Sequence, residues 1–460
     1  MNRFSKLGYV LAVAGSAVGL GNAWKFPYVV GNNGGSAFVL LYLGICLVVG
    51  IPIFLGELSI GKLSESDSVN AFSKLTDKFK GFWKAVGFTS VLTGYIIACY
   101  YVVVIGWVLY YIFMALGGFG DISMVANSAS FSEAFDTSKG VFISFLTQNW
   151  LMQTLCFFAV LAGCVFIVSR GIIGGIERLN TYMMPSLFIL LLVMLAYSIS
   201  ASSGGFSEAA RFLLVPNFSK INFNSFLEAL GLAFFTMSLG IAVIITYSAS
   251  LNDNANFLRS TFSVVGINIL LAIMMGLIIF TFIFEFNAPP AQGPGLVFMS
   301  LPLLFAKMGS VVGTLMGVGF FVALLFAGVT SAISIIEPFT FFLVRNYNIS
   351  RAKALCILGA GMVIIGLASL LSNVSGVGEH YQIFGMGFLD FLDYVASKIL
   401  MPLCGIGAAI FVGFVIKRDG LELLFLPHMP KAVFEIWYIC IRFIAPACVI
   451  AVMINALWPR

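Results

Sequence analysis

Charge is what this chain has least of. Only 9% of its 460 residues are Asp, Glu, Lys or Arg, against 60% hydrophobic residues and a mean hydropathy of +1.06. A water-soluble core needs far less apolar surface, so the composition excludes a soluble globular protein and indicates a polytopic membrane protein. Histidine is nearly absent: His380 and His428 are the two, and both fall in loops expected on opposite sides of the membrane. No Ser/His/Asp arrangement follows from them, and no His, Cys and carboxylate cluster recurs at metal-ligand spacing, so an enzyme has the least support. The eight cysteines (Cys46, Cys99, Cys156, Cys164, Cys356, Cys404, Cys440 and Cys448) all fall in apolar segments. They read as small buried residues, not as a disulfide framework. The net charge is only +5, and the basic loops carry no RNA- or DNA-binding motif, which argues against a nucleic-acid partner. Low-complexity tracts and separate soluble domains are also missing, so 1–460 reads as one membrane domain.

What is present is a series of long apolar segments, near 8–30, 37–61, 85–117, 149–168, 178–199, 224–249, 261–284, 309–343, 354–372, 386–416 and 434–457. The sequence thus predicts an all-α protein with about eleven transmembrane helices. Lys62, Lys74, Lys78, Lys80, Lys84, Arg170, Arg178, Arg345, Arg351, Lys353, Lys417 and Arg418 gather on the side of the N-terminus. By the positive-inside rule the N-terminus is cytoplasmic and the C-terminus outside, in the inner (plasma) membrane. The first segment is too long for a signal-peptide core, so it is expected to be retained. Polar connections are expected at 62–84 inside and at 118–148 and 200–223 outside. Residues 284–302, with Asn287, Pro289, Pro290, Gly293 and Pro294, read as an irregular outer loop over an access path.

Two of the segments are broken. Ala14-Gly15-Ser16-Ala17-Val18-Gly19-Leu20-Gly21-Asn22 interrupts the first, and Thr236-Met237-Ser238-Leu239-Gly240 interrupts the sixth. Irregular backbone at membrane depth is tolerated only where its freed N–H and C=O groups face a cavity, an ion or a substrate. Paired breaks five segments apart point to a secondary transporter built as a 5+5 inverted repeat. The halves would run over about 8–199 and 224–416, with 434–457 as an additional helix.

These residues resemble a known family. Gly15 to Pro27 is similar to the first-helix signature of the neurotransmitter:sodium symporters, as are Asn33-Gly34-Gly35, Gly50-Ile51-Pro52 with Glu57, and Arg170-Gly171 with Gly175-Ile176-Glu177-Arg178. Phe234-Phe235-Thr236-Met237-Ser238-Leu239-Gly240 and Phe326-Ala327-Gly328-Val329-Thr330-Ser331 complete the set. The order and spacing resemble the bacterial branch, amino-acid transporters with the bacterial leucine-transporter fold. The resemblance implies two sodium ions. The first would take the Ala17 carbonyl, Asn22, Thr236, Asn268 and the substrate carboxylate. The second would take the Gly15, Val18 and Ala327 carbonyls with the Thr330 and Ser331 hydroxyls. On their own, Thr330 and Ser331 are equally what a helix carries when hydroxyls bond back to its own carbonyls. The half-helix after Gly19-Leu20-Gly21 offers its positive dipole end to a carboxylate, and the resemblance adds Tyr101 as a donor. Ala17, Phe235, Thr236 and Ser238 would face the ammonium, and Ile97, Phe235, Ile241, Ser331, Ala332 and Ile335 the side chain. Gly19 stands where biogenic-amine members place an aspartate, which implies a substrate bringing its own carboxylate. Lys25 and Asp393 take the outer-gate positions, with Phe235 as a lid beneath.

The chain departs from the family at several positions. Leu232 replaces a glutamine near the chloride shell, and Ala272 stands where relatives place a serine or a glutamate. Chloride dependence is open and leans towards independence. Glu228, one turn before Leu232, is expected to reach Lys25. Arg345 and Arg3 occupy the inner-gate positions and cannot pair with each other, while Lys398 matches no family role. The reading is a sodium-coupled symporter of a neutral, hydrophobic L-amino acid. The alternatives are a carrier of another carboxylated or sulfonated solute (a β- or γ-amino acid, or taurine) and a non-transporting sensor of the same fold. Substrate identity, stoichiometry, proton coupling and oligomeric state are not legible in the sequence.

Overall fold

A computed structural model describes residues 3–23, 25–127, 130–252, 256–288 and 295–457, the side chains of 455–457 excepted. Two helices, α1 (Lys6–Ala17) and α2 (Leu20–Asn32), meet at 58°. Then follow α3 (Ser36–Ser64), a short α4 (Ser68–Lys74) and α5 (Lys80–Leu116). Next come α6 (Phe131–Gln148), α7 (Trp150–Ser169), α8 (Ile172–Ala201) and α9 (Gly205–Leu214). The second half holds α10 (Phe223–Thr236), α11 (Val243–Ser248), α12 (Phe257–Glu285), α13 (Leu296–Lys307) and α14 (Ser310–Tyr347). It ends with α15 (Arg351–Leu371), α16 (Phe388–Val415), α17 (Arg418–Phe425) and α18 (Lys431–Ile454).

Among the described residues nine helices are long and apolar enough to cross a membrane, or ten with α1 and α2 counted as one bent span. The sixth apolar segment is not among them, because its break divides it into α10 and α11. The exposed surface of the bundle is apolar, with Trp150, Leu151, Leu155, Phe158, Ile189 and Val193 turned outward. Buried polar groups such as Asn22, Thr236, Asn268 and Thr330 lie inside. That distribution suits a lipid solvent, since charge and unpaired polarity are kept away from hydrocarbon.

Helices α5 and α14 lie along each other, with α1 and α8 against α14, and α12 against α1 and α8. Helices α10 and α11 pack on α3. Each broken helix therefore sits against the helix that follows the break in the opposite half, a reciprocity that a two-fold relation between halves produces.

The connections expected outside hold more helix than the sequence predicts. Within 118–148, α6 forms because Ser130 accepts a hydrogen bond from the Glu133 N–H (3.3 Å), and Ala134, Ser138, Phe142 and Phe145 make one buried face. Within 200–223, α9 starts where Glu285 accepts from the Ser203 N–H (3.1 Å) and the Gly205 N–H (3.0 Å). The expected irregular loop over 284–302 is also shortened, since α13 begins at Leu296 and places Pro302 in its early turns, after a wide π-type turn at Leu296–Ser300. Pro289, Pro290, Gly293 and Pro294 lie outside the described residues. Among the cysteines, Cys356 is exposed on α15 and Cys448 half-buried, so the expectation that all eight are buried fails for these two.

Candidate substrate and ion site

Both breaks are set by the backbone. Helix α1 ends at Ala17, where Val18 turns to an extended conformation (φ −80°, ψ 95°), and α2 starts at Leu20. In the sixth segment Ser238 (φ 54°), Gly240 (φ 79°) and Ala242 (φ 64°) are all left-handed. Two non-glycine residues in that region within one short stretch are strained, and such strain clusters at functional sites. Buried Glu57 braces the turn by accepting the Gly240 N–H at 2.7 Å. The two breaks also hold each other, since the Ser238 hydroxyl donates to the Ser16 carbonyl (2.9 Å).

Between the breaks lies a cavity. Of the residues expected to bind substrate, Ala17, Gly19, Gly21, Ile97, Tyr101, Phe235, Thr236, Ser238, Ile241, Ser331 and Ile335 line it, joined by Ser16, Asn22 and Met401. Leu20 contributes through its backbone: its N–H donates to the Tyr101 hydroxyl at 2.9 Å. Accepting that bond leaves the Tyr101 proton free to donate elsewhere. A Cβ at Gly19 would stand 2.7 Å from the Tyr101 hydroxyl oxygen and 3.0 Å from Ser331 Oγ. A Cβ at Gly21 would stand 2.5 Å from Phe235 Cε1. Both glycines are thus demanded by close approach. Ala332 is buried but does not line the cavity.

The residues expected at the first ion site come together. The Asn22 amide donates to Asn268 Oδ1 at 2.8 Å, which leaves Asn22 Oδ1 buried without a hydrogen-bond partner among the described residues. The Thr236 hydroxyl donates to the Leu232 carbonyl (2.9 Å) and lies 2.8 Å from the Tyr42 hydroxyl. At the second, Ser331 Oγ lies 3.0 Å from the Gly15 carbonyl, 3.1 Å from that of Ser16 and 3.2 Å from that of Val18. One hydroxyl proton can serve only one of three converging carbonyls, and the surplus oxygens are what a hard cation takes up. Thr330 Oγ1 is 2.9 Å from the Phe326 carbonyl and 3.1 Å from that of Ala327, the back-bonding geometry that the sequence left open.

Tyr42, Asn180 and Met401 escaped the sequence reading. Asn180 is fully buried on α8, and its Oδ1, which has no hydrogen-bond partner among the described residues, would stand 2.0 Å from a Cβ at Gly15. Each is a single residue in an apolar segment whose contacts lie far along the chain. A lone amide or phenol in such a segment was the available signal for Asn180 and Tyr42.

On the side expected to face outward, Lys25 Nζ stands 4.4 Å from the centre of the Phe235 ring. A cation on that face is worth about 0.5–2 kcal/mol, depending on desolvation. Asp393 accepts from the Tyr100 hydroxyl (2.8 Å) and from Ser397 (2.9 Å). Among the described residues no direct ion pair joins Lys25 to Asp393, and the ring of Phe235 is the group Lys25 covers. The expected contact of Glu228 with Lys25 is not made. Glu228 instead accepts the Asn33 side-chain amide at 2.6 Å, because the turn after α2 brings Asn33 to it. Lys398 lies 5.3 Å from the Tyr394 ring centre on α16. Leu232 and Ala272 are both fully buried and apolar.

On the side expected to face inward, Arg3 and Arg345 converge on one turn. Helix α3 ends at Glu65, which adopts a left-handed conformation (φ 45°). Its carboxylate lies 3.5 Å from Arg3 and 3.5 Å from Lys62, and its carbonyl accepts from Arg345 at 3.0 Å. Lys62 also donates to the Leu251 carbonyl (2.9 Å), and the Phe4 N–H to that of Ser250 (3.1 Å). Arg3 and Arg345 therefore do not meet each other; they meet the same turn.

The profile of the sodium:neurotransmitter symporter family matches residues 2–141 and 141–459. The chain belongs to that family. It is 34% identical over 453 residues, 98% of its length and 96% of the relative's, to YhdH of Bacillus subtilis, an uncharacterized sodium-dependent transporter. A second uncharacterized sodium-dependent transporter, from Haemophilus influenzae, is 36% identical over 459 residues, covering 99% of this chain and 97% of its own. The crystal structure of MhsT in complex with L-phenylalanine superposes with a TM-score of 0.86 at 34% identity, covering 99% of this chain and all of the other. The chain is thus a multi-pass membrane protein of a sodium-dependent transporter family, and the relatives are transporters, not enzymes.

Proposed function

We propose that this family member is a symporter that couples sodium to the uptake of a neutral, hydrophobic L-amino acid by alternating access. The observation that carries the reading is the division of the cavity wall. At one end stand the N-terminus of α2 and the Tyr101 hydroxyl, which suit a carboxylate. At the other stand the broken backbone of the sixth segment and Ser238, which suit an ammonium. Ile97, Ile241, Ile335 and Phe235 form the apolar remainder, and among the described residues no charged side chain lines the cavity. Backbone dipoles can balance a zwitterion there, whereas a substrate with net charge would be left unpaired in a low dielectric. MhsT, of similar structure, is seen with L-phenylalanine, an amino acid of this class.

Two sodium ions complete the account. Ala17, Asn22, Thr236 and Asn268, with the substrate carboxylate, would hold the first, so that ion and substrate bind cooperatively. Gly15, Val18, Ala327, Thr330 and Ser331 would hold the second. The orphaned Asn22 Oδ1 and the surplus carbonyls around Ser331 fit those roles. Lys25, Phe235 and Asp393 would close the outer path, and the Glu65 turn the inner one, with the N-terminus cytoplasmic and the C-terminus outside. A thermal-shift panel of the twenty amino acids, in sodium and in potassium, tests the reading. Stabilisation by a few neutral apolar amino acids in sodium alone is expected; an equal response in potassium would contradict it.

Two further outcomes are expected. Replacing chloride by gluconate should change sodium-dependent binding by less than twofold, because Leu232 and Ala272 offer an anion no donor. A larger loss on chloride removal would place an anion site elsewhere. Glu65→Ala should loosen the inner closure by removing contacts to Arg3 and Lys62. With the Glu65 carboxylate half exposed, such pairs are worth about 0–1 kcal/mol each, so the apparent substrate affinity should fall about two- to fivefold. Thiol labelling of a cysteine introduced at Ala17 from the cytoplasmic side should speed up in parallel, and unchanged labelling would show that Glu65 does not hold the inner path.

A further inference from the structure

Met401 enters the cavity from α16, a helix to which the sequence assigned only an outer-gate residue. It is 2% exposed and lines the cavity together with Ile97, Ile241 and Ile335. Two close approaches bring it there. A Cβ on Gly240 would lie 2.4 Å from the Met401 carbonyl and 3.3 Å from the Gly405 nitrogen. Reciprocally, a Cβ on Gly405 would lie 2.4 Å from Phe234 Cε1. Glycine on each side therefore lets the backbone of α16 dock directly on the break of the sixth segment.

The helix is also locally widened. Residues Tyr394–Leu400 form a π-type turn, and Pro402 follows in the first turn of the next α-helical stretch. Two α-helical turns hold about 7.2 residues, and a π-bulge inserts roughly one more. Asp393 and Met401, eight residues apart, consequently share one face. Without the inserted residue Met401 would be rotated off the cavity. Such bulges recur at functional sites in helices.

We propose that Met401 is a specificity-determining residue: its thioether is the adaptable wall against the substrate side chain. It lets one cavity accept both aliphatic and aromatic side chains of large hydrophobic L-amino acids. This rests on the amino-acid reading above. The physical basis is the unbranched methionine side chain, which re-packs around different shapes and makes favourable sulfur–aromatic contacts. The isoleucines that also line the cavity are branched and stiff at χ1 and cannot adapt in that way. A single methylene in such a pocket discriminates roughly 10–200-fold, so changes at this wall are readable as affinity ratios.

The test is equilibrium binding of alanine, leucine, phenylalanine and tryptophan to the purified full-length protein in sodium, for the wild type, Met401→Phe and Met401→Ile. Met401→Phe should lower phenylalanine and tryptophan affinity at least tenfold relative to alanine. Met401→Ile, similar in volume but stiff, should keep leucine within threefold and lose the aromatic substrates. An aromatic-to-alanine ratio within twofold of wild type in both variants would overturn the proposal. So would an equal loss of all four ligands in a folded variant, which would make Met401 a docking residue of α16. A wild type that binds none of the four in sodium would overturn the amino-acid reading itself, a failure separate from unchanged ratios in variants that bind.

Discussion

Asn22→Ala is expected to raise the sodium concentration needed for half-maximal substrate binding by about ten- to a hundredfold. The variant removes a buried oxygen that has no hydrogen-bond partner among the described residues and strands Asn268, whose Oδ1 now accepts the Asn22 amide at 2.8 Å. Interactions with a charged partner in such surroundings are worth about 1.5–3 kcal/mol, and each 1.4 kcal/mol is about tenfold. The readout is a sodium titration of bound substrate, with the melting temperature in potassium as the folding control. A second pair separates ion ligation from helix back-bonding at the other site. Thr330→Ser keeps the hydroxyl and should keep sodium affinity within threefold, whereas Thr330→Val should lose at least tenfold. Equal behaviour of Ser and Val would assign Thr330 to its bonds with Phe326 and Ala327 alone.

Gly19→Ala is expected to weaken substrate binding at least tenfold, through a neighbour it pushes aside. Its Cβ would lie 2.7 Å from the Tyr101 hydroxyl oxygen, so that hydroxyl must leave the Leu20 N–H that now orients it. Tyr101→Phe should also lose at least tenfold, because a carboxylate donor disappears; removing one such bond to a charged group costs about 1.5–3 kcal/mol. The double variant is the informative one. Without the hydroxyl the added methyl has less to displace, so Gly19→Ala should add under threefold to Tyr101→Phe. Strictly additive losses in substrate Kd would mean the two residues act independently, and the orientation of Tyr101 would then not depend on Gly19. The same contact explains why an aspartate does not suit position 19 here: its Cβ alone meets Tyr101 and Ser331.

How much of this was legible in the sequence depends on distance along the chain. The breaks at Gly15–Asn22 and Thr236–Gly240 announce themselves because glycine and hydroxyl residues are out of place in apolar segments. Most of the cavity wall follows from the family pattern. Helices α6, α9 and α13 were hidden within connections read as loops, since amphipathic or proline-bearing stretches outside the bilayer lack a long apolar run. Glu228 and Arg345 went to partners that only folding brings near, Asn33 and the Glu65 turn. Met401 was invisible for a related reason. A methionine in an apolar segment carries no pattern, and its direction is set by a widened turn and by two glycines on other elements.

The central claim is coupling, and it is tested most directly by uptake into proteoliposomes holding the purified protein. External radiolabelled phenylalanine or leucine is supplied with an inward sodium gradient, or with potassium on both sides. The account predicts accumulation above the equilibrium level with the gradient, collapse on adding a sodium ionophore, and no accumulation in potassium. Sodium-dependent binding without any uptake would contradict transport and leave a sensor of the same fold; uptake indifferent to sodium would contradict the coupling.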